Sequence, residues 1–233
     1  MRTILLLGSA IIILSFIDGK KQKDNTLTAK EKKEGWKLLF DGTSMNGWRI
    51  YNDEKVDDWD VKNGELYCKI DGVTKRGDLI TVDKYENFEL VVDWKIAPQE
   101  NSGIIYMVEE ANRPSYESGP EYQLIDDDGY PEKLKDAQLS GSNYDMNPPT
   151  VKVNKPSGQY NHTRIVVNKG HVEHWLNGTK VVEYELWSPE WYQQKEKSKW
   201  KDVKPYGMSK SGHIALQDHG GGVWFKNIKI KPL

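Results

Sequence analysis

Residues 119–128 read Gly-Pro-Glu-Tyr-Gln-Leu-Ile-Asp-Asp-Asp and predict a β-strand that ends in an acidic turn. Successive side chains of a strand point to opposite faces, so Tyr122 and Leu124 are expected to face the core. Glu121 and Gln123 then lie side by side on the other face. A carboxylate beside an amide suits a site for a polyhydroxylated ligand. A half-exposed strand with a solvated polar face would give the same pattern.

Similar strand-like segments recur from residue 35 to the C-terminus. The clearest is residues 85–96, where apolar side chains occupy every second position: Phe88, Leu90, Val92 and Trp94. Turn signals such as Asn63-Gly64 separate the segments. We therefore predict an all-β fold, a sandwich of two sheets. One short helical insert is expected near residues 188–204, since Ser188 followed by proline resembles a helix N-cap.

Composition divides the chain into three regions. Residues 1–19 combine Arg2 with a short apolar run, which is typical of a signal peptide; an uncleaved anchor is the alternative. Residues 20–34 are charged and polar and predict a linker. Residues 35–233 predict a single β-sandwich domain. The protein is therefore expected to be exported to the periplasm or the extracellular space, without stable membrane insertion once the signal peptide is removed.

Charge and aromatic content narrow the function classes. Lys plus Arg number 33 and Asp plus Glu 35, so there is no basic field and no nucleic acid partner is expected. Trp (9) and Tyr (12) far exceed Phe (4), and such aromatics pack β cores or stack on sugar rings. Cys68 is the single cysteine, so it cannot form an internal disulfide and is interpreted as a packed thiol.

Residues 213–219 predict a second strand with the same alternation as residues 119–128. Ile214 and Leu216 are expected to face the core, so Gln217 and His219 share the opposite face. Each of the two strands thus presents a glutamine and an ionisable group. We expect these four side chains to form one polar floor on the concave face of the sandwich.

Two further features bear on this polar floor. Residues 220–222 are three glycines after His219, a turn with little bulk that leaves room for a ligand. An ordinary glycosidase needs two carboxylates that flank the scissile bond. Gln123 stands two residues after Glu121 and is an amide, and Asp126 falls on the core-facing side unless a bulge re-aims it. This pattern weakens the assignment as an ordinary endoglucanase.

The chain resembles the 3-keto-disaccharide hydrolase family in five segments that occur in the same order: residues 36–44, 101–104, 119–123, 174–178 and 216–228. The resemblance covers the chain from about residue 35 to its C-terminus. It implies a concanavalin-like jelly-roll sandwich that cleaves 3-keto-glycosides in bacterial carbohydrate catabolism. It also implies elimination and hydration rather than direct displacement, and a functional link to a separate sugar 3-dehydrogenase that oxidises C3.

A 3-keto substrate changes what the site needs. The ketone acidifies the neighbouring C2 proton, so one base can start an elimination that expels the C1 substituent. Glu121 or His219 is expected to be the catalytic base, with the other as the acid. Four side chains are expected to bind substrate: Gln123, Gln217, Asn101 and Tyr106.

Metal binding and two departures from the family pattern remain open at this stage. A divalent metal held by Glu121 and His219 could polarise the ketone, although the sequence has no ligand motif of known spacing. The acidic turn at residues 126–128 could bind calcium or be an ordinary solvated turn. Met107 stands where the family often has arginine, which puts one substrate contact in question. Tyr160-Asn161 replaces a common Trp-Asn, an exchange that looks tolerable.

Two alternatives stand beside the 3-keto-glycoside enzyme. One is a non-catalytic, lectin-like carbohydrate-binding module, and the other is the ordinary endoglucanase. A binding module would rely on aromatic platforms and amides more than on ionisable groups such as Glu121 and His219. His174, in an apolar hairpin beside Trp175, is expected to be structural.

Overall fold

The computed structural model describes residues 22–233, so the predicted signal peptide lies outside the described residues. Within this range the helices are α1 (Ala29–Lys33) and α2 (Pro189–Lys197). The strands are β1 (Lys37–Leu38), β2 (Trp48–Ile50), β3 (Trp59–Lys62), β4 (Glu65–Cys68), β5 (Leu79–Thr81), β6 (Phe88–Ile96), β7 (Asn101–Val108), β8 (Glu121–Ile125), β9 (Asn161–Asn168), β10 (His171–Leu176), β11 (Thr179–Glu185), β12 (His213–Leu216) and β13 (Val223–Pro232). Neither helix has the length and apolar character to cross a bilayer.

The strands form two antiparallel sheets, which confirms the all-β sandwich. The eight-stranded sheet has the order β11-β10-β9-β6-β13-β4-β3, with β1 paired to β13. The five-stranded sheet has the order β2-β5-β12-β7-β8. Apolar side chains from both sheets pack in one buried cluster between them. The fold therefore leaves the opposite face of the five-stranded sheet free to carry polar groups.

Strand β6 shows how the alternating pattern builds the core. Its side chains alternate strictly between buried and partly exposed along all nine residues. Trp94 is buried, and its indole N–H donates to Thr163 Oγ1 across the sheet at 2.8 Å. Full burial of one large apolar side chain contributes about 1.5–3 kcal/mol. The predicted core positions of this strand are confirmed.

The same alternation holds on β8 and β12, the strands that carry the predicted polar floor. Tyr122 and Leu124 belong to the core between the sheets, as do Ile214 and Leu216. Glu121 therefore points to the opposite face of the five-stranded sheet, as predicted.

The insert at residues 188–204 is a helix followed by turns. Ser188 caps α2, because its Oγ accepts a hydrogen bond from the Trp191 N–H at 3.1 Å. The helix ends at Lys197, so the helical prediction is confirmed only for its first half. Two buried tryptophans anchor the insert on Tyr206: Trp191 stacks at 6.5 Å between ring centroids and Trp200 at 4.3 Å. The insert is therefore a packed wall of the domain.

The segment predicted as a polar linker packs against the sandwich from residue 22 onward. Asn25 is buried, and its backbone N–H donates to Asn227 Oδ1 at 2.6 Å. Helix α1 follows, and Glu31 forms an ion pair of 2.6 Å with Lys229 of β13. A charged segment with no apolar period can therefore still be held by hydrogen bonds and ion pairs to an outer sheet face.

The three glycines at residues 220–222 are required by the backbone path. A Cβ on Gly221, whose φ is +97°, would lie 2.1 Å from the carbonyl oxygen of Lys69. The Gly222 N–H donates to the Cys68 carbonyl at 2.9 Å, which ties the turn to the end of β4. The glycine at 221 thus allows close contact with β4, a different reason from the ligand space that the sequence suggested.

A buried acidic cluster supports the residue just before this turn. Asp218 accepts hydrogen bonds from the Cys68 thiol at 3.2 Å and from Arg76 at 3.1 Å. Asp58 is fully buried, and burial together with the nearby Asp218 raises the pKa of Asp58. Its Oδ1 has no partner among the described groups unless it carries a proton, which it can donate to Asp218. Cys68 is the buried, packed thiol that the sequence predicted.

This cluster predicts pH-dependent stability. Between the ordinary pKa of an aspartate and the raised pKa of Asp58, the unfolded chain loses a proton that the folded chain keeps. The free energy of unfolding therefore falls as pH rises, by up to about 1.4 kcal/mol per pH unit. Asp58→Asn removes this loss, because the amide cannot ionise and can donate to Asp218. Its stability relative to wild type should rise from about pH 5 to about pH 7 in denaturant titrations.

Asp71→Asn, at an exposed turn position, is the matched control and should follow the wild-type curve. Parallel curves for wild type and Asp58→Asn would show that Asp58 is not protonated in the folded state.

Candidate active site

A cavity of about 210 Å³ opens on the face of the five-stranded sheet that points away from the core. It is lined by Asn101, Tyr116, Glu121, Gln123, Tyr144, Lys199, Gln217 and His219. The four residues of the predicted polar floor are thus brought together. Clefts that hold drug-sized ligands measure about 300–1,000 Å³, so this smaller cavity suits a single ring of a polyhydroxylated ligand.

Glu121 and Gln123 form the buried part of the floor, with exposed fractions of 4% and 3%. The Gln123 amide, oriented so that both of its ends are satisfied, donates to Glu121 Oε1 at 3.0 Å and to the Ser102 carbonyl at 3.2 Å. The side chains of the predicted polar face are therefore enclosed by the cavity walls and are not solvated.

Gly103 provides the space for the Glu121 carboxyl group. Gly103 lies opposite Gln123 in the β7–β8 pairing. A Cβ at this position would lie 2.3 Å from Glu121 Oε1. The Gly103 carbonyl also accepts from the Gln217 N–H at 2.9 Å, which connects the end of β12 to the same point. The Asn-Ser-Gly segment of the sequence thus has a steric role that its motif alone did not reveal.

Burial raises the pKa of Glu121 to about 8. The positive charge of Lys199 opposes this rise, and the negative charge of Asp78 adds to it. The hydrogen bond from Gln123 also favours the ionised form. Glu121 therefore titrates near neutral pH, which is the property that a group needs to exchange a proton with a substrate in both directions.

Asp78 is a half-buried carboxyl group directly before β5, and its charge reaches Glu121. It accepts a hydrogen bond from the Asp218 N–H at 2.8 Å and another from Ser115 Oγ. Burial raises the pKa of Asp78 to about 6, and the two hydrogen bonds and the charge of His219 oppose the rise. Asp78 thus fixes the backbone between Gln217 and His219. No pattern in the sequence pointed to a role for this residue.

Gln217 and His219 occupy different depths of the cavity. Gln217 is buried, and its carbonyl accepts from Ser102 Oγ at 2.8 Å. His219 is exposed at the rim, where a ligand group projecting from the floor would meet it. Both predicted positions are in the cavity, one on its floor and one at its mouth.

Asn101 and Tyr106 were both predicted to bind substrate, and the structure separates them. Asn101 lines the cavity and donates to the Tyr130 hydroxyl at 2.9 Å. Tyr106 lies in the core, where its hydroxyl contacts His174 Nε2 at 3.0 Å, so its prediction is wrong. The reason is strand parity, because residues 101 and 106 of one strand point to opposite faces.

The two departures from the family pattern also lie away from the cavity. Met107 is buried in the core and has a φ of +57°, next to a register shift between β7 and β12. Tyr160, the second departure, directly precedes β9 of the other sheet, and its hydroxyl donates to Glu65 Oε1 at 2.5 Å. His174 is fully buried, and burial lowers its pKa to about 4, which agrees with the predicted structural role.

The acidic turn and the cavity hold the predicted metal ligands. Each carboxylate of the acidic turn has its own partner: Asp126 the Gln99 N–H, Asp127 the Ser140 N–H and Asp128 the Lys152 ammonium. Among residues 22–233, the side-chain groups close enough to share a metal are Asp58, Cys68 and Asp218, and His171, Glu173 and Glu183. The structure thus does not bring the acidic turn together as a calcium site, and metal binding by Glu121 and His219 stays a prediction.

Three cavity residues come from connecting segments and were missed by the sequence analysis. They are Tyr116, Tyr144 and Lys199. The Lys199 ammonium lies 4.1 Å from the ring centroid of Tyr144 and 4.2 Å from that of Trp200. Burial lowers the pKa of Lys199, and the negative charges of Glu121 and Asp145 oppose this change. The insert contains several lysines, so the sequence alone did not distinguish Lys199 from the others.

Comparison with known proteins agrees with this geometry. A Bacteroides thetaiotaomicron protein named 3-keto-disaccharide hydrolase is 37% identical over 229 residues, covering 86% of this chain and 79% of its own length. A crystal structure of a candidate glycosyl hydrolase from Parabacteroides distasonis is 42% identical, with a TM-score of 0.85, and the match covers 91% of this chain and 100% of the other.

A more distant structure supports the predicted concanavalin-like sandwich. The carbohydrate-binding module CBM66 from Bacillus subtilis has a TM-score of 0.51 at 9% identity, with coverage of 79% of this chain and 95% of the module, and shows the fold alone. The family model described as a 3-keto-alpha-glucoside-1,2-lyase-like domain matches residues 35–231. This range includes every residue that lines the cavity, and the chain therefore belongs to the 3-keto-alpha-glucoside-1,2-lyase-like domain family.

Proposed function

We propose that this protein cleaves the glycosidic bond of 3-keto-glycosides by elimination followed by hydration, in bacterial carbohydrate catabolism. The Bacteroides thetaiotaomicron relative is named a 3-keto-disaccharide hydrolase. The observation that carries the proposal is the single buried carboxyl group, Glu121, whose pKa is raised to about 8. It is the only carboxyl group among the described residues that line the cavity.

The elimination needs one base and one acid. The Glu121 carboxylate takes the proton from C2, which the ketone at C3 acidifies, and the C2–H electrons form an enolate. When the C3 carbonyl re-forms, a C1–C2 double bond forms and the C1–O bond breaks. His219, at the rim of the cavity, donates a proton to the leaving oxygen. Gln123 and Gln217 orient the ring through its hydroxyl groups.

Hydration completes the reaction. Water adds its hydroxyl group to C1 and gives its other proton to His219, which lost one to the leaving oxygen, and Glu121 returns a proton to C2. The sum of the two steps is hydrolysis of the glycosidic bond. A carboxyl group that titrates near neutral pH is suited to both, because it must accept a proton in the first step and return one in the second.

The two alternatives explain less of the cavity. An ordinary endoglucanase uses two carboxyl groups about 5–9.5 Å apart, whereas the Asp126 carboxylate accepts from the Gln99 N–H and does not line the cavity. A carbohydrate-binding module does not need a buried carboxyl group that titrates near neutral pH, and burying one without a role costs stability.

The substrate and the residues 1–19 suggest the wider setting. A ketone at C3 has to be made before this reaction, so we propose that a separate sugar 3-dehydrogenase supplies the substrate. The apolar run after Arg2 supports export, and we propose that the reaction takes place in the periplasm or outside the cell.

The first test compares a 3-keto-glucoside with its parent glucoside. The 3-keto compound should release its aglycone, and the parent should stay intact because its C2 proton is not acidified. Release is followed by chromatography, with and without a chelator. Loss of turnover that added metal restores would support metal binding by Glu121 and His219. Binding of the 3-keto sugar without release would support the carbohydrate-binding module.

Glu121→Gln should abolish the proton transfer at C2. We expect kcat to fall about 10²–10⁴-fold with an unchanged melting temperature, since the amide fills the same space beside Gly103. In the wild type, kcat/KM should rise with pH toward about 8, because burial raises the pKa of Glu121 to that value and the base must be ionised. The control is Glu132→Gln at an exposed position. Activity retained by Glu121→Gln would remove Glu121 as the base.

His219→Ala should affect poor leaving groups most. Expulsion of a sugar alkoxide needs a proton, whereas 4-nitrophenolate leaves without one. We therefore expect a loss of about 100-fold with a 3-keto-disaccharide and a much smaller loss with the 4-nitrophenyl 3-keto-glucoside. His162→Ala, on the other sheet, is the control. Equal losses with both substrates would assign His219 a different role.

A further inference from the structure

Lys199 faces Glu121 within the cavity without being paired to it. Both side chains line the cavity, and each shifts the pKa of the other through its charge. Among the described ion pairs, which extend to 4.0 Å, Lys199 and Glu121 form none. The ammonium and the carboxyl group therefore line one cavity without a direct ion pair, so a ligand in the cavity can contact both.

Two aromatic rings place the Lys199 ammonium at the cavity wall, and one hydrogen bond fixes the backbone of the same residue. Its Nζ lies 4.1 Å from the Tyr144 ring centroid and 4.2 Å from that of Trp200, which favours the charged form. Trp200 is itself held, because its indole N–H donates to the Tyr144 carbonyl at 3.1 Å. The Lys199 backbone N–H donates to Asp145 at 2.8 Å. The cation is thus preorganised, and within residues 22–233 no carboxylate forms an ion pair with it that would occupy its N–H groups.

The proposed reaction creates negative charge that the other cavity residues do not neutralise. When the C2 proton leaves, the C2–H electrons form a C2–C3 double bond, and negative charge develops on the oxygen at C3. Gln123 already donates both amide hydrogens, to Glu121 and to Ser102. His219 lies at the rim, where the leaving oxygen is expected. A preorganised donor aimed at a developing oxyanion is the strongest single contribution in many enzymes.

We propose that Lys199 is a catalytic residue that donates a hydrogen bond to the C3 oxygen and stabilises the enolate formed when Glu121 removes the C2 proton. This role rests on the proposed function. The C2–H electrons form the C2–C3 double bond, the carbonyl π electrons move to the oxygen, and the Lys199 N–H stays on nitrogen. When the carbonyl re-forms, the enolate electrons form the C1–C2 double bond and expel the C1 oxygen.

Lys199 then donates a hydrogen bond to the ketone oxygen, and His219 donates a proton to the leaving oxygen. Substitutions at the two positions should therefore respond differently to the substrate. Loss of Lys199 should slow abstraction of the C2 proton whatever the leaving group is. It should also move the acid limb of the pH profile upward, because the charge of Lys199 opposes the rise in the pKa of Glu121.

The experiment uses Lys199→Met and Lys199→Arg in the full chain, with Lys201→Met as the matched exposed control. We expect kcat of Lys199→Met to fall about 10²–10³-fold, equally for a 3-keto-disaccharide and for the 4-nitrophenyl 3-keto-glucoside. Exchange of the C2 proton with deuterated water, followed by NMR, should slow by a similar factor. Lys199→Arg should recover part of the rate, and Lys201→Met should match the wild type.

Other results would overturn this role. A loss that shrinks with 4-nitrophenol as leaving group would make Lys199 an acid for the leaving oxygen. Unchanged kcat and an unshifted pH profile would show that it is structural. An adduct of Lys199 with the substrate after borohydride reduction would show covalent rather than hydrogen-bond catalysis. If the wild type itself leaves the 3-keto-glucoside intact, the proposed function fails first, and the two failures are thereby distinguished.

Discussion

The arrangement of the cavity depends on the desolvation of the Glu121 carboxyl group. A buried carboxylate costs free energy unless neighbouring groups compensate for the lost water. Gln123 donates a hydrogen bond to it, Lys199 faces it with a positive charge, and Gly103 gives it room. The compensation is partial, so the pKa of Glu121 stays raised, at about 8, and the group can exchange its proton near neutral pH.

The sandwich makes this arrangement rigid. Tyr122 and Leu124 lock β8 into the core on one face, and the groups that act on a ligand project from the other. The segment after β12 is held to β7 by the bond from the Gln217 N–H to the Gly103 carbonyl, and to the residue before β5 by the bond from the Asp218 N–H to Asp78. The floor is therefore positioned before a ligand arrives, which is how an enzyme avoids the cost of reorganisation.

The sequence predicted those parts of the site that follow from strand periodicity. The alternation of side chains along β8 placed Glu121 on the correct face of the sheet. The same rule applied to β7 excludes Tyr106 from the cavity, because residues 101 and 106 point to opposite faces. The irregular backbone at Met107 carries no such signal, because a local register shift depends on the neighbouring strand.

Connecting segments mark the limit of this kind of prediction. Tyr116, Tyr144 and Lys199 reach the cavity from loops whose paths are set by tertiary contacts, and no periodicity in the sequence encodes them. The segment around α1 was interpreted as a linker for a related reason. It docks through polar side chains such as Asn25, and a hydrophobic pattern cannot reveal contacts of that kind.

The division of the site between a sheet and an insert has an evolutionary consequence. The insert at residues 188–204 is anchored by aromatic stacking on Tyr206, which involves no residue of the floor. Residues of the insert other than Lys199 and the aromatic anchors can therefore diverge while Glu121 stays where the sheet places it. Related proteins could therefore keep the same reaction on the sugar ring and differ in their preference for the group attached to it. Paralogues in one genome could then act on different glycosides.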